Sequence, residues 1–348
     1  MTWRFFMKKV ILILLILVFF VFIRTAYAGK LAVLPGHLMP GDLAVGDNYF
    51  YITENSTIYV YSMKDFKLVK KFGKKGEGPG EFKGAPKLTV LSDRLMVDSA
   101  AKVSFYSVDG TYQKEFNNIV SGHTFTPVGS RFIGRKSTPD DTGQMWAMIN
   151  IYDSSFKKVK EIYRVQSIVK INKGWKLFSR TYFKYVVGED KIFIAGDKEF
   201  VVEVYDFDGK PLSPIKRDYQ RVKFTKEHAG KVLELYRTRP STKQDYEEWK
   251  KIITFPEYFP AIRDIFGADK QLYVRTYKVK EGKHEFFIFS EDGKLQGHVF
   301  LPIAESNAKF AYPYMRDSAP FAVKNGKLYQ LIAVDDEGDY ELHVSTVE

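Results

Sequence analysis

The segment Tyr106-Ser107-Val108-Asp109-Gly110 decides the fold, because the same pattern returns along the chain. An aromatic residue, a polar residue and an Asp-Gly turn recur at residues 205–209 and 289–293, with degenerate copies at 61–65 and 152–156. Asp-Gly between apolar stretches is a strong hairpin signal, since glycine reaches positive φ without a steric penalty. The pattern therefore predicts β-hairpins at regular intervals.

A second kind of hairpin precedes each copy, in which a polar turn leads into an apolar-aromatic-apolar run. Residues 190–194 (Asp-Lys-Ile-Phe-Ile) and 269–274 (Asp-Lys-Gln-Leu-Tyr-Val) are examples. Three successive turns of the repeat, at Asp65, Asp109 and Ser154, lie 44 and 45 residues apart. Two hairpins in such a period make four short antiparallel strands, which is the blade of a β-propeller.

We predict an all-β fold, a six-bladed β-propeller of four-stranded antiparallel blades, with seven or five blades as alternatives. The six units span residues 42–84, 85–122, 123–166, 181–218, 262–302 and 313–348. The last unit contains only three clear strands, so we expect residues 30–34 to supply the fourth. That pairing would close the ring and protect the sheet edges.

One segment, residues 225–255, is predicted to be a helical insertion between the fourth and fifth blades. Four residues share one face at helical spacing: Ala229, Val232, Leu233 and Tyr236. Ser241, followed three residues later by Gln244, is typical of a capping box that begins a second helix. The insertion either packs its apolar face on the rim of the ring or forms a lid or partner surface over one mouth.

The first 28 residues have the pattern of a secretory signal peptide. A basic start precedes an apolar run over residues 10–23, and a small-x-small site predicts cleavage after Ala28. The alternative is a membrane anchor formed by residues 10–23, although a span needs roughly 20 apolar residues. We expect residues 29–348 to form a single propeller domain in the periplasm or outside the cell.

The composition fits export and excludes several kinds of site. The 348 residues contain no cysteine, which excludes a disulfide, a thiolate metal site, a cysteine nucleophile and lipidation of an N-terminal cysteine. The formal net charge of +11 falls to +7 without the four basic residues of the leader, Arg4, Lys8, Lys9 and Arg24. The other basic residues are scattered among acidic ones, so we expect a monomer with no nucleic-acid partner. We expect the protein to contact a membrane only through an uncleaved leader. An anionic glycan or lipid fits its positive net charge better than a nucleic acid does.

The stretch Phe72-Gly73-Lys74-Lys75-Gly76-Glu77-Gly78-Pro79-Gly80-Glu81-Phe82 is rich in glycine but does not predict a phosphate site. No Gly-Lys-Ser/Thr and no helix follow it, and Glu77 and Glu81 would repel a phosphate. It lies between the outer strand of one blade and the inner strand of the next. We therefore interpret it as a structural crossing, in which glycine and proline make sharp turns.

This stretch, followed by residues 88–90, 94–98 and 103–110, resembles an NHL repeat. Residues 258–265, which lead into Leu272-Tyr273-Val274, are similar to exported bacterial six-bladed propellers of the same superfamily. The resemblance implies the six-bladed fold. Some NHL-like propellers are lyases or hydrolases that hold a metal in the central channel, so it also implies one enzymatic alternative.

The residue types and their spacing give little support to a lyase or hydrolase. None of the six histidines forms a close pair with metal-ligand spacing, and only His123 precedes an inner strand. There is no Gly-x-Ser-x-Gly elbow, and we predict no catalytic residue, metal ligand or cofactor. A carboxylate-bound ion of the calcium type in the channel stays possible, with Asp98 and Asp264 as contributors.

Six polar residues at or beside the predicted inner strands are the candidate ligand-binding residues of the channel: Lys87, Thr124, Arg263, Asp264, Arg316 and Asp317. The Arg-Asp dipeptide occurs in two adjacent blades. The structural alternative is a set of ion pairs that tie the blades together. We expect a non-catalytic exported propeller that binds a protein or glycan at one face of the ring. The alternative is a metal-dependent lyase or hydrolase with its site in the central channel.

Overall fold

The structure is a computed structural model that describes residues 29–99, 102–117, 123–168, 175–176, 184–196, 199–306, 314, 318–334 and 338–347. Six four-stranded antiparallel sheets follow one another along this part of the chain and form a six-bladed β-propeller. The predicted fold and the number of blades are therefore confirmed. The predicted leader, residues 1–28, and the pair Arg316 and Asp317 lie outside the described residues.

The strands of the first three blades follow the predicted units closely. The chain begins with β1 (Gly29–Leu34), which belongs to the last blade. Blade 1 comprises β2 (Asp42–Val45), β3 (Tyr49–Glu54), β4 (Thr57–Ser62) and β5 (Leu68–Phe72). Blade 2 comprises β6 (Lys87–Val90), β7 (Arg94–Ser99), β8 (Lys102–Ser107) and β9 (Tyr112–Phe116). Blade 3 comprises β10 (His123–Val128), β11 (Arg131–Pro139), β12 (Met145–Tyr152) and β13 (Lys158–Ile168).

The second half contains three blades and two helices. A short strand, β14 (Trp175–Lys176), precedes blade 4, which comprises β15 (Tyr185–Val187), β16 (Lys191–Ala195), β17 (Val201–Asp206) and β18 (Pro211–Lys216). The insertion contains α1 (Lys226–Thr238), a 3-10 turn (Lys243–Asp245), α2 (Tyr246–Ile252) and β19 (Ile253–Thr254). Blade 5 comprises β20 (Asp264–Ala268), β21 (Gln271–Lys280), β22 (Lys283–Ser290) and β23 (Leu295–Leu301). Blade 6 comprises β24 (Phe321–Lys324), β25 (Lys327–Ala333), β26 (Tyr340–Thr346) and β1.

The two ends of the propeller meet in blade 6. Strand β1 pairs antiparallel with β26, with Gly29 opposite Val344 and Leu34 opposite Tyr340. The predicted use of residues 30–34 as the fourth strand is therefore confirmed. This pairing closes the ring, which leaves no open seam between the first and last blades.

The hydrophobic core is divided into one cluster at each contact between neighbouring blades. Buried apolar residues of blades 1 and 2 form one such cluster, and those of blades 6 and 1 form another. The other four lie between blades 2 and 3, 3 and 4, 4 and 5, and 5 and 6. Tyr51, Tyr106, Tyr152 and Tyr273 are among the largest side chains that are fully buried. The high aromatic content therefore packs sheet against sheet.

The Asp-Gly turns contribute directly to this packing. Gly110 has φ +82°, and a Cβ there would lie 2.7 Å from the ring of Phe72, on the outermost strand of the preceding blade. Gly209 and Gly293 stand in the same relation to Ile162 and Ile215. The turn thus needs glycine both for its backbone conformation and for close contact with the neighbouring blade.

The two faces of the ring carry different parts of the chain. Strand β2 contacts β6 and β24, and β15 contacts β20, so the first strands of the blades surround the channel. Each first strand begins on the face that carries the crossings between blades and the insertion. We call this the entry face. The Asp-Gly turns lie on the opposite face.

The helical insertion is fixed on the entry face between blades 4 and 5, as predicted. Its base is closed by hydrogen bonds from Phe224 N to Glu257 O and from Phe259 N to Val222 O, both 2.9 Å. Near this base, the last strand of the insertion, β19, pairs parallel with β14. The predicted stripe packs into an apolar cluster that includes Val232, Tyr236 and Phe259. No helix of the described residues is long and apolar enough to cross a membrane.

The predicted capping box of the insertion is wrong. Thr225 and His228 cap α1 reciprocally, with 3.0 Å from Thr225 N to His228 Nδ1. Helix α2 begins after Asp245 without a side-chain cap. Thr242 instead donates to the carbonyl of Tyr236 (2.9 Å), which fixes the turn after α1 and moves the start of α2 past Ser241.

The glycine-rich stretch surrounds a buried cation. The ammonium group of Lys102, whose side chain is 5% exposed, donates to the carbonyl oxygens of Glu77 (3.0 Å), Gly78 (2.7 Å) and Glu81 (3.4 Å). It also lies 3.3 Å from the carboxylate of Glu115. The stretch presents carbonyl oxygens inward, which is the reverse of a phosphate-binding loop, so the structural interpretation is confirmed.

Candidate functional site

The strand register identifies six equivalent positions around the entry mouth of the channel. Four of them pair with the second strand of their own blade, as Asp42 with Thr53, Lys87 with Asp98, Thr124 with Arg135, and Asp264 with Arg275. In blade 4 the carbonyl of Lys184 accepts from Ala195 N, and in blade 6 that of Pro320 accepts from Leu331 N, both at 3.0 Å. We call this set the entry ring: Asp42, Lys87, Thr124, Lys184, Asp264 and Pro320.

Charged side chains of the entry ring interact across the channel. Lys184 and Asp42 belong to blades 4 and 1, on opposite sides of the ring, yet Lys184 acts on the pKa of Asp42. The surrounding protein raises that pKa by burial, while Lys87 and Lys184 act to lower it. The Lys87 ammonium also lies 6.0 Å from the ring centroid of Tyr185, two blades away. The mouth is therefore narrow enough for groups of distant blades to influence one another.

The same charged groups are accessible to solvent. Asp42 and Lys87 are the exposed first residues of β2 and β6, and the residue that follows each is buried. The side chain of Lys184 is 47% exposed, and its Nζ lies 3.3 Å from Oδ1 of Asp264. Water therefore reaches Asp42 even though protein surrounds it. A ligand could reach the same groups from the entry face.

A buried carboxylate, Asp98, lies beside the entry ring. Its Oδ2 accepts from the backbone N of Phe125 at 2.8 Å, which links blade 2 to blade 3. Burial raises the pKa of Asp98 to about 6, while the Phe125 hydrogen bond and Lys87 act in the opposite direction. From the sequence, Asp98 was a possible ion ligand or a residue that caps a turn. Its geometry shows a second role in joining two blades.

Blade 5 adds a cluster of cationic side chains beside Asp264. Arg275 is buried, and its Nη1 donates to Ser318 Oγ at 2.6 Å. Arg263 lies over the ring of Tyr277, 5.6 Å from its centroid. Burial lowers the pKa of His284 to about 3, and Arg275 and Arg263 lower it further. His284 is therefore neutral at physiological pH.

The predicted site residues fall into three groups. Lys87, Thr124 and Asp264 occupy the entry ring, although only the backbone of Thr124 is described. Arg263 directly precedes the ring position of its blade. Arg316 and Asp317 lie outside the described residues, so their place at the site stays a prediction.

Three members of the entry ring were not predicted from the sequence: Pro320 and the two charged residues Asp42 and Lys184. Asp42 begins and Lys184 directly precedes an inner strand of three or four residues, which is too short to show an alternating pattern. Strand β6 is equally short, but the glycine-rich crossing at residues 72–82 marks its start and so pointed to Lys87. A usable signal was nevertheless present. The ring residue lies three or four positions before the last residue that pairs with the second strand. The spacing is three in blades 1, 2 and 4, as from Asp42 to Val45, and four in blades 3, 5 and 6.

The described side chains contain no group of three or more His, Asp or Glu that could hold a metal ion. His37 is buried between Glu54 (3.0 Å) and Tyr61 (2.7 Å), and the imidazole of His298 lies 2.9 Å from Glu285 on the outer part of blade 5. The side chain of His123 is not among those described. No described histidine therefore lies in the entry ring.

Apart from the mouth, a depression lies on the opposite face of the ring, where blades 4 and 5 meet. It has a volume of about 320 Å³ and is lined in part by Gly188, Glu189, Lys270 and Glu291. Lys270 pairs with Glu189 at 2.8 Å, and both carboxylate oxygens of Glu291 accept from Glu189 N at 3.0 Å. Its charged groups therefore already have partners within the protein.

Solved structures resemble this chain in fold. A Bacteroides fragilis protein, described provisionally as exported, has a TM-score of 0.51 at 12% identity over 93% of this chain and 95% of its own. A luciferin-regenerating enzyme has a TM-score of 0.44 at 11% identity, covering 92% and 95% of the two chains. The WD40 domain of Neurospora crassa Pan2 has a TM-score of 0.42 at 9% identity, covering 91% and 95%. No protein-family profile and no curated protein sequence matches this chain. Identities this low bear on the fold alone.

Proposed function

We propose that this protein is an exported, non-catalytic binding module whose ligand, a protein or a glycan, docks on the entry face over the mouth of the channel. One observation carries the proposal. Four of the six entry-ring positions hold charged residues, Asp42, Lys87, Lys184 and Asp264, and two of them are exposed at the very start of their strands. A propeller needs no charge at these positions for its packing, whereas a binding surface uses fixed charges for orientation and specificity.

Two further features support this choice of face. The insertion is closed at its base by backbone hydrogen bonds and packs on Tyr277 of blade 5 through Phe259, so it adds a fixed wall beside the mouth. Lys184 and Asp264 at the mouth pair at 3.3 Å, as Lys270 and Glu189 do on the opposite face at 2.8 Å, but the mouth also presents the exposed side chains of Asp42 and Lys87. The proposed export rests on the leader pattern, and membership of the NHL-like propellers rests on residues 72–82.

A binding array tests the choice of face. The purified protein and two double variants would be applied to defined peptides and oligosaccharides, both neutral and charged. Each variant loses one carboxylate and one ammonium group. Asp42→Asn/Lys184→Met alters the mouth, and Glu189→Gln/Lys270→Met breaks an ion pair of the opposite face. We expect the first variant to lose probes that the second retains. The reverse pattern would contradict the proposal.

Metal analysis tests the enzymatic alternative. One equivalent of tightly bound metal that is lost on Asp98→Ala or Asp264→Ala would support a lyase or hydrolase in the channel. Probe binding that persists after dialysis against a chelator would support the binding module.

A further inference from the structure

Positive charge is concentrated at one place on the outer rim of blade 1. The basic residues were expected to be scattered among acidic ones, but residues 64–75 contain six lysines and a single acidic residue, Asp65. The local excess is +5, compared with +7 for all of residues 29–348. We call these six residues the lysine strip: Lys64, Lys67, Lys70, Lys71, Lys74 and Lys75.

The fold sets the lysine strip along an edge of the protein. Strand β5 is the outermost strand of blade 1 and pairs with β4 on its inner side. Lys67 directly precedes β5 and Lys74 and Lys75 follow it, so the strip runs from the turn on the opposite face up to the entry face. A strand rises about 3.3 Å per residue, which places Lys67 and Lys71 about 13 Å apart along the edge. Five of the six side chains are exposed and Lys70 is half-buried.

Most of this charge is not neutralised within the protein. Lys74 pairs with Glu81 at 3.0 Å, and Lys70 donates to Thr111 Oγ1 of blade 2 at 3.1 Å. The other four lysines of the strip form no ion pair with any carboxylate that the structure describes. An anionic ligand can therefore reach them without breaking an existing ion pair.

Protection of a sheet edge does not explain the lysine strip. Lysine on an edge strand discourages pairing with another sheet, yet the outermost strand β23 has no lysine or arginine and β9 has only Lys114. Strand β13 is rich in lysine, but there Lys158 pairs with Glu161 at 3.2 Å and Lys160 donates to a carbonyl of blade 4 at 2.8 Å. The rim of blade 1 thus differs from the others in carrying a line of cations that lack carboxylate partners.

We propose that the lysine strip binds a linear acidic polysaccharide, a chain with carboxylates at short intervals that lies along the edge of blade 1. A line of cations one strand wide on a convex rim matches a chain, whereas a flat membrane would contact neighbouring blades whose charges are already paired. Successive carboxylates of one chain would contact successive ammonium groups, so weak single contacts add up. Leu68 and Val69, which are 49% and 52% exposed, offer apolar contact to the sugar rings between the charges. This surface is separate from the mouth and goes beyond the proposed function.

Calorimetric titration at pH 7.5 and low salt tests the inference with a decamer of galacturonate, which has one carboxylate per sugar, and with its neutral methyl ester. We expect the decamer to bind about tenfold more tightly than the ester and to lose affinity at high salt, which screens exposed charges. Lys67→Gln/Lys70→Gln/Lys71→Gln should weaken decamer binding about tenfold. The matched control removes three lysines from the rim of blade 3, as Lys157→Gln/Lys158→Gln/Lys160→Gln, and should weaken it less than about twofold.

Equal losses in the two triple variants, or equal binding of the decamer and its ester to the wild type, would overturn the inference. Vesicles that contain phosphatidylglycerol and a polyglutamate peptide are the competing probes. If either depended on the lysine strip while the decamer did not, the strip would belong to a membrane or to an acidic protein, and the polysaccharide would be wrong. The mouth variant Asp42→Asn/Lys184→Met should bind the decamer as the wild type does, and a loss there would move the site away from the rim. Thermal unfolding of each variant checks that a loss of binding is not a loss of folding.

Discussion

Replacement of Lys102 by methionine tests how the glycine-rich stretch is held. The substitution removes an ammonium group that donates to three carbonyls and lies 3.3 Å from Glu115, whose side chain is 9% exposed. Glu115 would remain buried without a cation. Breaking a buried ion pair from one side costs about 3 to 5 kcal/mol. For about 320 folded residues the unfolding entropy corresponds to about 1.5 °C per kcal/mol, so we expect Tm to fall by about 5 to 7 °C.

Scanning calorimetry at pH 7.5 measures this effect against a matched control in the same stretch. Lys74 also pairs with a glutamate, Glu81, at 3.0 Å, but its side chain is 76% exposed. Lys74→Met should therefore change Tm by less than about 1 °C. Adding Glu115→Gln to Lys102→Met should recover part of the loss, since the unpaired charge is removed. A Tm for Lys102→Met that matches the Lys74→Met control would refute this account of the stretch.

Two further predictions concern the joints between blades. Burial raises the pKa of Asp98 to about 6 from an ordinary value of 3.8, so its contribution to stability is present below pH 4 and is lost as pH rises to 6. Urea unfolding should show that the free energy of unfolding of Asp98→Asn, measured relative to the wild type, rises by about 3 kcal/mol between pH 4 and pH 7. If the exposed control Asp93→Asn showed the same change at every pH, burial would not be the cause. Gly110→Ala should lower the free energy of unfolding by about 1 to 3 kcal/mol more than the control Gly282→Ala does. Both glycines have positive φ, but only at Gly110 would a Cβ meet a neighbour, Phe72, within 4 Å. Equal losses in the two alanine variants would mean that backbone conformation alone requires glycine at the repeat.

The fold could be predicted because its signals are local and repeated. The Asp-Gly turn at Gly110 and its copies mark one hairpin of each period, and the aromatic residues before them mark buried strands. The close contact between Gly110 and Phe72 joins two blades and has no sequence signal of its own. It became visible only when the strand register placed one blade against the next.

The site was predicted less completely because its members are distant in sequence. Lys87 and Asp264 were found as polar residues beside inner strands. Asp42 and Lys184 were missed because their strands contain only three or four residues and, unlike the equally short β6, do not follow a recognisable crossing such as residues 72–82. The interaction of Lys184 with Asp42 depends on closure of the ring, which brings residues 142 positions apart to one mouth.

The carboxylate ion site that the sequence left open, beside a prediction of no cofactor, illustrates the same limit. Asp98 and Asp264 are both near the mouth, as a shared ion would require. In the structure Asp98 accepts from Phe125 N and Asp264 pairs with Lys184, so each carboxylate has a partner within the protein. Partners of this kind follow from tertiary packing and cannot be inferred from spacing.

Attachment of a bulky group at the mouth tests the central claim most directly, since the chain has no native cysteine. A single cysteine introduced as Lys87→Cys would be labelled with a large maleimide, and Lys270→Cys on the opposite face would serve as the matched control. Affinity for the tightest probe of the array would be measured for each protein before and after labelling. We predict that labelling abolishes binding by the Lys87→Cys protein and leaves the Lys270→Cys protein unchanged. Unchanged binding by the labelled Lys87→Cys protein would contradict a binding site at the mouth.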